Sequence, residues 1–358
     1  MHPQESIYYL LLFLFFSKIK GQTLVTIKDV AELAQVSQAT VSRTVNGIAS
    51  VKKSNRDKVY AAIEKLGYKP NSFAQALASN KSNSIGMLVG SLSSPFYGPL
   101  MHYAEETIRQ HNMYLIATSG LESEEKEIHS IQFLQSRKID GLIIHADRLS
   151  DDQLLQIAKE TPNIVILNRY IPELASQCIC IDNELGGYIA TQYLIDQGHK
   201  KIACITGQVS KIDSIERLQG YRSALTENGL EFNRNYIIEG RFDHEGNHEK
   251  VERLLDRNLG ITAIFCQNDN IALAVYDVCS KRNLTIGQDL SIIGFDNAGY
   301  SQYLRPRLST VNFPIKEMGI AAAKSILAQI NKKQYPISNK LAPTLVIRDS
   351  VKKINNHI

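Results

Sequence analysis

"IKDVAELAQVSQATVSRTVNG", residues 27–47, holds two short apolar-periodic segments on either side of Gln35-Val36-Ser37. Ile27, Val30, Ala31 and Ala34 fall at i, i+3, i+4 and i+7, which draws one stripe down a helix. Thr26 with Asp29 three residues on gives that helix a capping box. Ser37 is placed to cap a second helix, with Val36 and Val41 as its hydrophobic staple, Val41 and Val45 as its buried stripe, and Gly47 to end it. A third helix is expected over "SNRDKVYAAIEKLGY", capped by Ser54, buried through Val59, Ala62, Ile63 and Leu66, and ended by Gly67. Pro70-Asn71 then breaks the chain before a short helical piece, "SFAQALASN". So small a three-helix unit has little core, and its usual work is to offer the second helix to the major groove of DNA.

The charge agrees with that use. Residues 24–84 carry nine Lys and Arg against four Asp and Glu, whereas residues 85–358 are slightly acidic and the whole chain is only +4. A local basic excess marks a polyanion-binding head on a near-neutral body. At 358 residues the chain has room for such a head and a larger unit, and 44% hydrophobic with 21% charged residues excludes disorder and fibre. The five cysteines, Cys178, Cys180, Cys204, Cys266 and Cys279, are odd in number and sit in apolar stretches without a CxxC pair, as buried thiols of a reducing compartment do.

From Ile85 apolar runs alternate with amphipathic helices: "IGMLVG", "YLIATSG", "GLIIHA", "NIVILNR" and "CICID", then "KIACITG", "YIIEGRF", "AIFCQN" and "LSIIGFD", with a return near "TVNF". Alternation of this kind builds parallel α/β sheets. Nine strands and a return exceed one ordinary sheet, so two similar lobes with a cleft between them are expected, with any ligand at the carboxyl ends of the strands.

Opposite Val41 and Val45, the second helix presents Gln38, Ala39, Ser42, Arg43 and Asn46. Arg bonds guanine bidentately, Gln and Asn bond adenine, and Ala meets a thymine methyl. Lys52, Lys53, Arg56 and Lys58 supply phosphate contacts, which position without specifying.

"TIKDVAELAQVSQATVSRTVNG", "KLGYKPNSFAQAL" and "GFDNAGYSQYLRPRLSTV" together resemble the LacI/GalR family of bacterial repressors over residues 24–350, and "SSPFYG", "ILNRYIPE", "RLQGY" and "RPRLSTVNFP" resemble its galactose-responsive subgroup. The resemblance implies an all-α helix-turn-helix headpiece (24–69), a hinge helix and linker (70–84), and a two-lobed α/β body like a periplasmic sugar-binding protein (85–358). The lobes would comprise 85–182 with 312–331, and 183–311 with 332–358. It adds Thr26, Ser37, Thr40 and Asn71 to the expected DNA contacts and puts Leu77 where the family drives a leucine wedge into the minor groove. Two departures stand out. Gln35 occupies the tight turn where the family usually has Gly, and Gln38 replaces an apolar residue of the galactose subgroup.

The family's ligand positions fall on Phe96, Tyr97, Asn168, Arg217, Phe242, Asn268 and Asp296. Planar polar groups bond sugar hydroxyls, aromatic rings cover the C–H faces, and an Arg with an Asp from opposite sides chelates vicinal hydroxyls. The resemblance implies a cytoplasmic homodimer that binds palindromic operator DNA as a repressor of sugar-metabolism genes, released by a small sugar, galactose first. A pentose, nucleoside or purine, acting even as corepressor, stays open as the effector.

Other classes have less support. "HEGNH", residues 244–248, satisfies the HExxH pattern of zinc proteases, and two sequons, Asn80-Lys81-Ser82 and Asn283-Leu284-Thr285, would suit a secreted enzyme. The motif contains Gly246, however, and follows a strand, so it would hold Zn²⁺ at the positive end of a helix. No Walker loop, GxGxxG or GxSxG is present, so no catalytic residue, cofactor or resident metal is expected. "IYYLLLFLFF", residues 7–16, is too short for the roughly 20 residues of a spanning helix. It also lacks the preceding positive charge of a signal peptide, so residues 1–23 read as a leader-like stretch outside the fold. A chain beginning at Leu24 is therefore expected to be soluble and to bind operator normally; loss of folding or binding would contradict this.

Overall fold

Eight residues, Ile27–Ala34, form helix α1, and its start is the capping box expected from Thr26 and Asp29. The Thr26 N–H donates to Asp29 Oδ2 at 2.7 Å, and the Asp29 N–H donates to Thr26 Oγ1 at 3.4 Å. Gln35 ends α1 in the left-handed region, φ 54° and ψ 45°, and so turns the chain within three residues. Helix α2 (Gln38–Val45) follows, with the Ser37 hydroxyl accepting the Thr40 N–H at 3.2 Å. Its fully buried positions are Val41 and Thr44, and Val45, expected in the stripe with Val41, is half-buried against the same core; Thr44 tolerates burial because its hydroxyl donates to the Thr40 carbonyl at 2.9 Å. Helix α3 (Lys53–Leu66) starts one residue ahead of Ser54, and its N-cap is Lys52, which offers no side-chain acceptor. The expected Ser54 cap is thus corrected: buried Val51, whose carbonyl accepts from Arg56, sets the entry of the chain. Gly67 closes α3 at φ 63°. Val30, Ala31, Ala34, Val41, Val59 and Ala62 form the small core.

These helices lie in the first of two compact units, Met1–Ser82 and Asn83–Ile358, of a computed structural model that describes residues 25–45, 47, 50–69, 81–242, 246–333, 335–336 and 340–354. Residues 1–24, Asn46, the hinge segment with Asn71 and Leu77, and His244 and Glu245 lie outside the described residues.

The second unit contains two six-stranded sheets built to one plan. In chain order the first lobe runs β1 (Ser84–Val89), α4 (Tyr97–Arg109), β2 (Tyr114–Ser119), α5 (Glu124–Ser136), β3 (Gly141–Ile144), α6 (Asp151–Glu160), β4 (Ile164–Leu167) and β5 (Cys178–Ile181). The second runs α7 (Asn183–Asp196), β6 (Ile202–Thr206), α8 (Ile212–Glu227), β7 (Ile237–Glu239), α9 (His248–Asp256), β8 (Ala263–Cys266), α10 (Asp269–Lys281), β9 (Ser291–Asp296) and β10 (Ser309–Asn312). Helix α11 (Ile315–Ile330) packs back on the first sheet, and two short strands, β11 (Lys340–Leu341) and β12 (Thr344–Val346), end the fold. The strand orders are β11-β5-β4-β3-β1-β2 and β12-β10-β9-β8-β6-β7. Every named pairing is parallel except β10 with β12.

The central strands are buried on both faces, which is why they read as continuous apolar runs. All five cysteines are free and buried, four of them in β5, β6 and β8 and Cys279 in α10. One expectation needs correction: residues 332–358 do not belong wholly to the second lobe. Lys340–Leu341 pairs with β5 and covers the otherwise open edge of the first sheet, and only after Pro343 does the chain join the second. The chain therefore passes between the sheets three times, after β5, after β10 and after β11.

The left-handed Gln35 gives a direct test. A side chain there costs about 1–2 kcal/mol, part of which glycine returns through its freer unfolded chain. Gln35→Gly is expected to stabilise the headpiece by about 0.5–1 kcal/mol, seen as stronger hydrogen-exchange protection of α1 and α2. Unchanged or weaker protection would show that the turn is unstrained.

Candidate functional site

Two surfaces carry the residues singled out from sequence. On the first unit, Gln38, Ala39 and Arg43 are exposed along one side of α2, opposite buried Val41, with Lys52 and Lys53 exposed at the start of α3. Ser42, Thr40 and Arg56 are half-buried beside them. Thr26 and Ser37 face solvent while serving as caps, so the residues expected to meet DNA also fix the ends of the helices that present it. Asn46, Asn71 and Leu77 lie outside the described residues.

On the second unit, Phe96, Tyr97, Asn168, Arg217, Phe242, Asn268 and Asp296 all line one cavity of about 580 Å³. Its walls are the segments that leave the carboxyl ends of β1, β2, β3 and β4 on one side and β6, β7, β8 and β9 on the other. That is where doubly wound sheets hold ligands.

Arg217, in α8, is the fixed point of this cavity. Its Nε donates to Asn183 Oδ1 at 3.0 Å, one terminal nitrogen donates to the Gln267 carbonyl at 2.6 Å, and the guanidinium carbon stands 3.8 Å from the centre of the Phe295 ring. The same nitrogen is 3.8 Å from Asp296 Oδ1, too far for a hydrogen bond. Burial pushes the Asp296 carboxyl up to about 7, against the pull of Arg217, and its backbone has φ 103°. Asn168 also sits at positive φ, 54°, and its buried Oδ1 has no hydrogen-bond partner. A buried acceptor without a donor is costly, and strained backbone of this kind gathers at binding sites. Asn268 is committed differently: its Oδ1 caps α10 and its Nδ2 donates to the Phe242 carbonyl at 2.8 Å, so it holds the Phe242 wall in place.

On the opposite side Phe96 packs edge-on against Tyr97 and Phe313, with ring centres 5.0 and 4.8 Å apart. Tyr97 Oη is 3.2 Å from His145 Nδ1, and burial pushes the phenol well above its ordinary range.

Residues 26–71 match the family described as bacterial regulatory proteins, lacI family, and residues 82–350 match the periplasmic binding proteins and sugar binding domain of the LacI family. The chain belongs to the LacI family. Its relatives include the HTH-type transcriptional regulator GalR of Escherichia coli, 37% identical over 91% of this chain and 95% of that one. The ribose operon repressor of Haemophilus influenzae is 36% identical over 91% and 98%. Among solved structures, a lac repressor dimer bound to operator and the anti-inducer ONPF superposes with a TM-score of 0.82 at 26% identity, over 92% of this chain and 100% of that one. The protein is a LacI-family DNA-binding transcriptional repressor, and its relatives are transcriptional regulators, not enzymes.

The protease motif gains nothing from the described residues. His248 opens α9 with Nε2 3.1 Å from Asp277, and Asn247 is buried, its amide bonded to the Arg241 backbone. No group of three potential metal ligands occurs among the described residues, and none of their helices is long and apolar enough to cross a membrane.

Sequence reasoning passed over Glu122, His145, Asp147, Lys211, Asn270 and Tyr300, which also line the cavity. Glu122, His145, Asp147 and Lys211 all follow strand ends, so the strand-end rule was the available signal. The Tyr300 bond to Asn270 at 2.5 Å had none.

Gly90 shows how tightly the β1 end is built. A Cβ there would lie 2.7 Å from Tyr97 Oη and 3.1 Å from Asp147 Oδ2. Gly90→Ala is expected to lower stability by about 1–3 kcal/mol through this overpacking, read as a reduced midpoint in thermal or urea unfolding. A wild-type midpoint would contradict the packing.

Proposed function

We propose that this repressor controls sugar-metabolism genes, and that a neutral hexose, D-galactose by preference, binds between the two sheets and weakens its hold on a palindromic operator. The observation that carries the reading is the pairing of an unsatisfied acceptor, Asn168 Oδ1, with an Arg217 and Asp296 pair standing 3.8 Å apart in the same cavity. A polyol supplies what both lack: one hydroxyl donates to Asn168, and neighbouring hydroxyls bridge the guanidinium and the carboxylate. Phe96 and Phe242 give the apolar walls that C–H faces need. Acidic and basic side chains are nearly balanced around the cavity, with Glu122, Asp147, Asp213 and Asp296 against Lys211, Arg217 and Arg241, so an uncharged ligand is the better match. The resemblance of GalR over nearly the whole chain favours galactose among hexoses.

Operator binding follows family geometry: a cytoplasmic homodimer sets two α2 helices in successive major grooves, and Leu77 wedges the minor groove between them. Arg43→Ala is expected to cost about 1–3 kcal/mol on the cognate operator and much less on random DNA. Equal losses on both would reduce Arg43 to a phosphate contact.

Gel retardation on the operator, with D-galactose, D-ribose and adenine as separate additions, tests the effector. Galactose should release the wild type, and Arg217→Ala should still bind operator but no longer respond. Release by ribose or adenine alone, or retained release in Arg217→Ala, would overturn the assignment.

The pH sign follows from Asp296. Burial raises its carboxyl from an ordinary 3.8 to about 7, so the cost to folding accumulates between those two values and is complete once the group is ionised above pH 7. Sugar hydroxyls donate more strongly to the ionised form, in which both oxygens accept and neither carries a proton. Galactose should therefore bind more tightly at pH 8 than at pH 6 by calorimetry, and Asp296→Asn should bind weakly without that slope. A flat wild-type profile would contradict this.

A further inference from the structure

In the same cavity, against the Phe242 ring that Arg217 also approaches, one lysine of the second lobe meets two carboxylates of the first. Lys211 precedes α8, and its Nζ lies 2.7 Å from Glu122 Oε1, beyond β2, and 3.4 Å from Asp147 Oδ2, beyond β3. Gln208, from the same loop as Lys211, donates to the other Glu122 oxygen at 3.3 Å. Lys211 is only 8% exposed, so water does little to screen these pairs. Burial works against its charge, yet Asp147 and Glu122 outweigh burial and hold its pKa above the ordinary value; Glu122 is held below its own by Lys211 despite burial.

The first-lobe half of the cluster is itself fixed in place. Glu127, 1% exposed, accepts the backbone N–H groups of Asp147, Arg148 and Leu149 at 2.9 to 3.2 Å, which clamps the loop carrying Asp147. Gly90 leaves room for Asp147 Oδ2 against the end of β1. Only the weaker field of Asp213, in the same lobe, would stay with Lys211 if the two first-lobe carboxylates were taken away, so opening the cleft means hydrating three charges at once.

We propose that Lys211, reaching across the cleft to Glu122 and Asp147, is a positioning residue that latches the two lobes of the body together before any effector binds. The latch shifts the body towards its binding-competent closed form, so the effector does not have to close it from a fully open state. Lys211 then sets sugar affinity through the lobe balance. The inference rests on the effector reading of the cleft only in its sugar arm, since the lobe balance is measured without ligand.

The test places spectroscopic labels at Lys159→Cys in α6 and Arg253→Cys in α9, both exposed, on the full chain diluted into unlabelled protein; the native cysteines are all buried. Without ligand, the parent should show a short inter-lobe distance, Lys211→Met a longer or broader one, and the charge swap Lys211→Glu with Glu122→Lys a return towards the short one. Galactose affinity by calorimetry should fall about tenfold in Lys211→Met and recover in the swap. If galactose fails to bind the parent, the effector assignment falls while the distances still decide the latch. Parent-like distances in Lys211→Met, or a natively folded swap no more closed than Lys211→Met, would overturn the proposal.

Discussion

The buried guanidinium of Arg217 is the interaction on which the body's architecture turns. A full positive charge at 3% exposure is tolerated only because Asn183, the Gln267 carbonyl and the Phe295 ring take up its donors and its face. That requires helices α7 and α8 to approach until their backbones touch. Gly187 lies against the Arg217 backbone and Gly220 against the Glu184 carbonyl, where a Cβ at either would collide with main chain. Two glycines in neighbouring helices therefore position the side chain that organises the cleft. Arg217 and Asp296 stand 3.8 Å apart, the gap that the proposed sugar hydroxyls would bridge.

The sequence made the strands plain because buried parallel strands are unbroken apolar runs. All ten runs picked out from "IGMLVG" to "TVNF" contain a strand. Strands β11 and β12 were missed because two or three residues around Pro343 carry no periodicity. In the headpiece the Thr26 and Gly67 ends were legible, whereas Ser54 misled because the burial of Val51, a tertiary effect, outweighed a local capping preference. The seven expected effector residues came from matching a family pattern, and all reach one cavity. The strand-end rule points to Lys211, Glu122 and Asp147 as cavity residues, but their partnership stayed hidden because it joins residues 64 to 89 positions apart. No local pattern encodes it.

Some of the positive-φ residues and unsatisfied groups stand at the headpiece turn and the cavity wall. Gln35 turns the headpiece in a conformation glycine would take more easily, and Asn168 and Asp296 hold positive φ at the cavity wall. In the body, these costs are offset by three apolar clusters packed on the faces of the two sheets.

The central claim is that sugar and operator oppose one another through the same protein, and linkage makes the claim reciprocal. The most direct measurement is the affinity of the chain for D-galactose by calorimetry, free and saturated with operator DNA at constant salt. The account predicts that operator weakens galactose binding by the factor by which galactose weakens operator binding, about 5- to 150-fold. Identical galactose affinity in the free and operator-bound protein would contradict it.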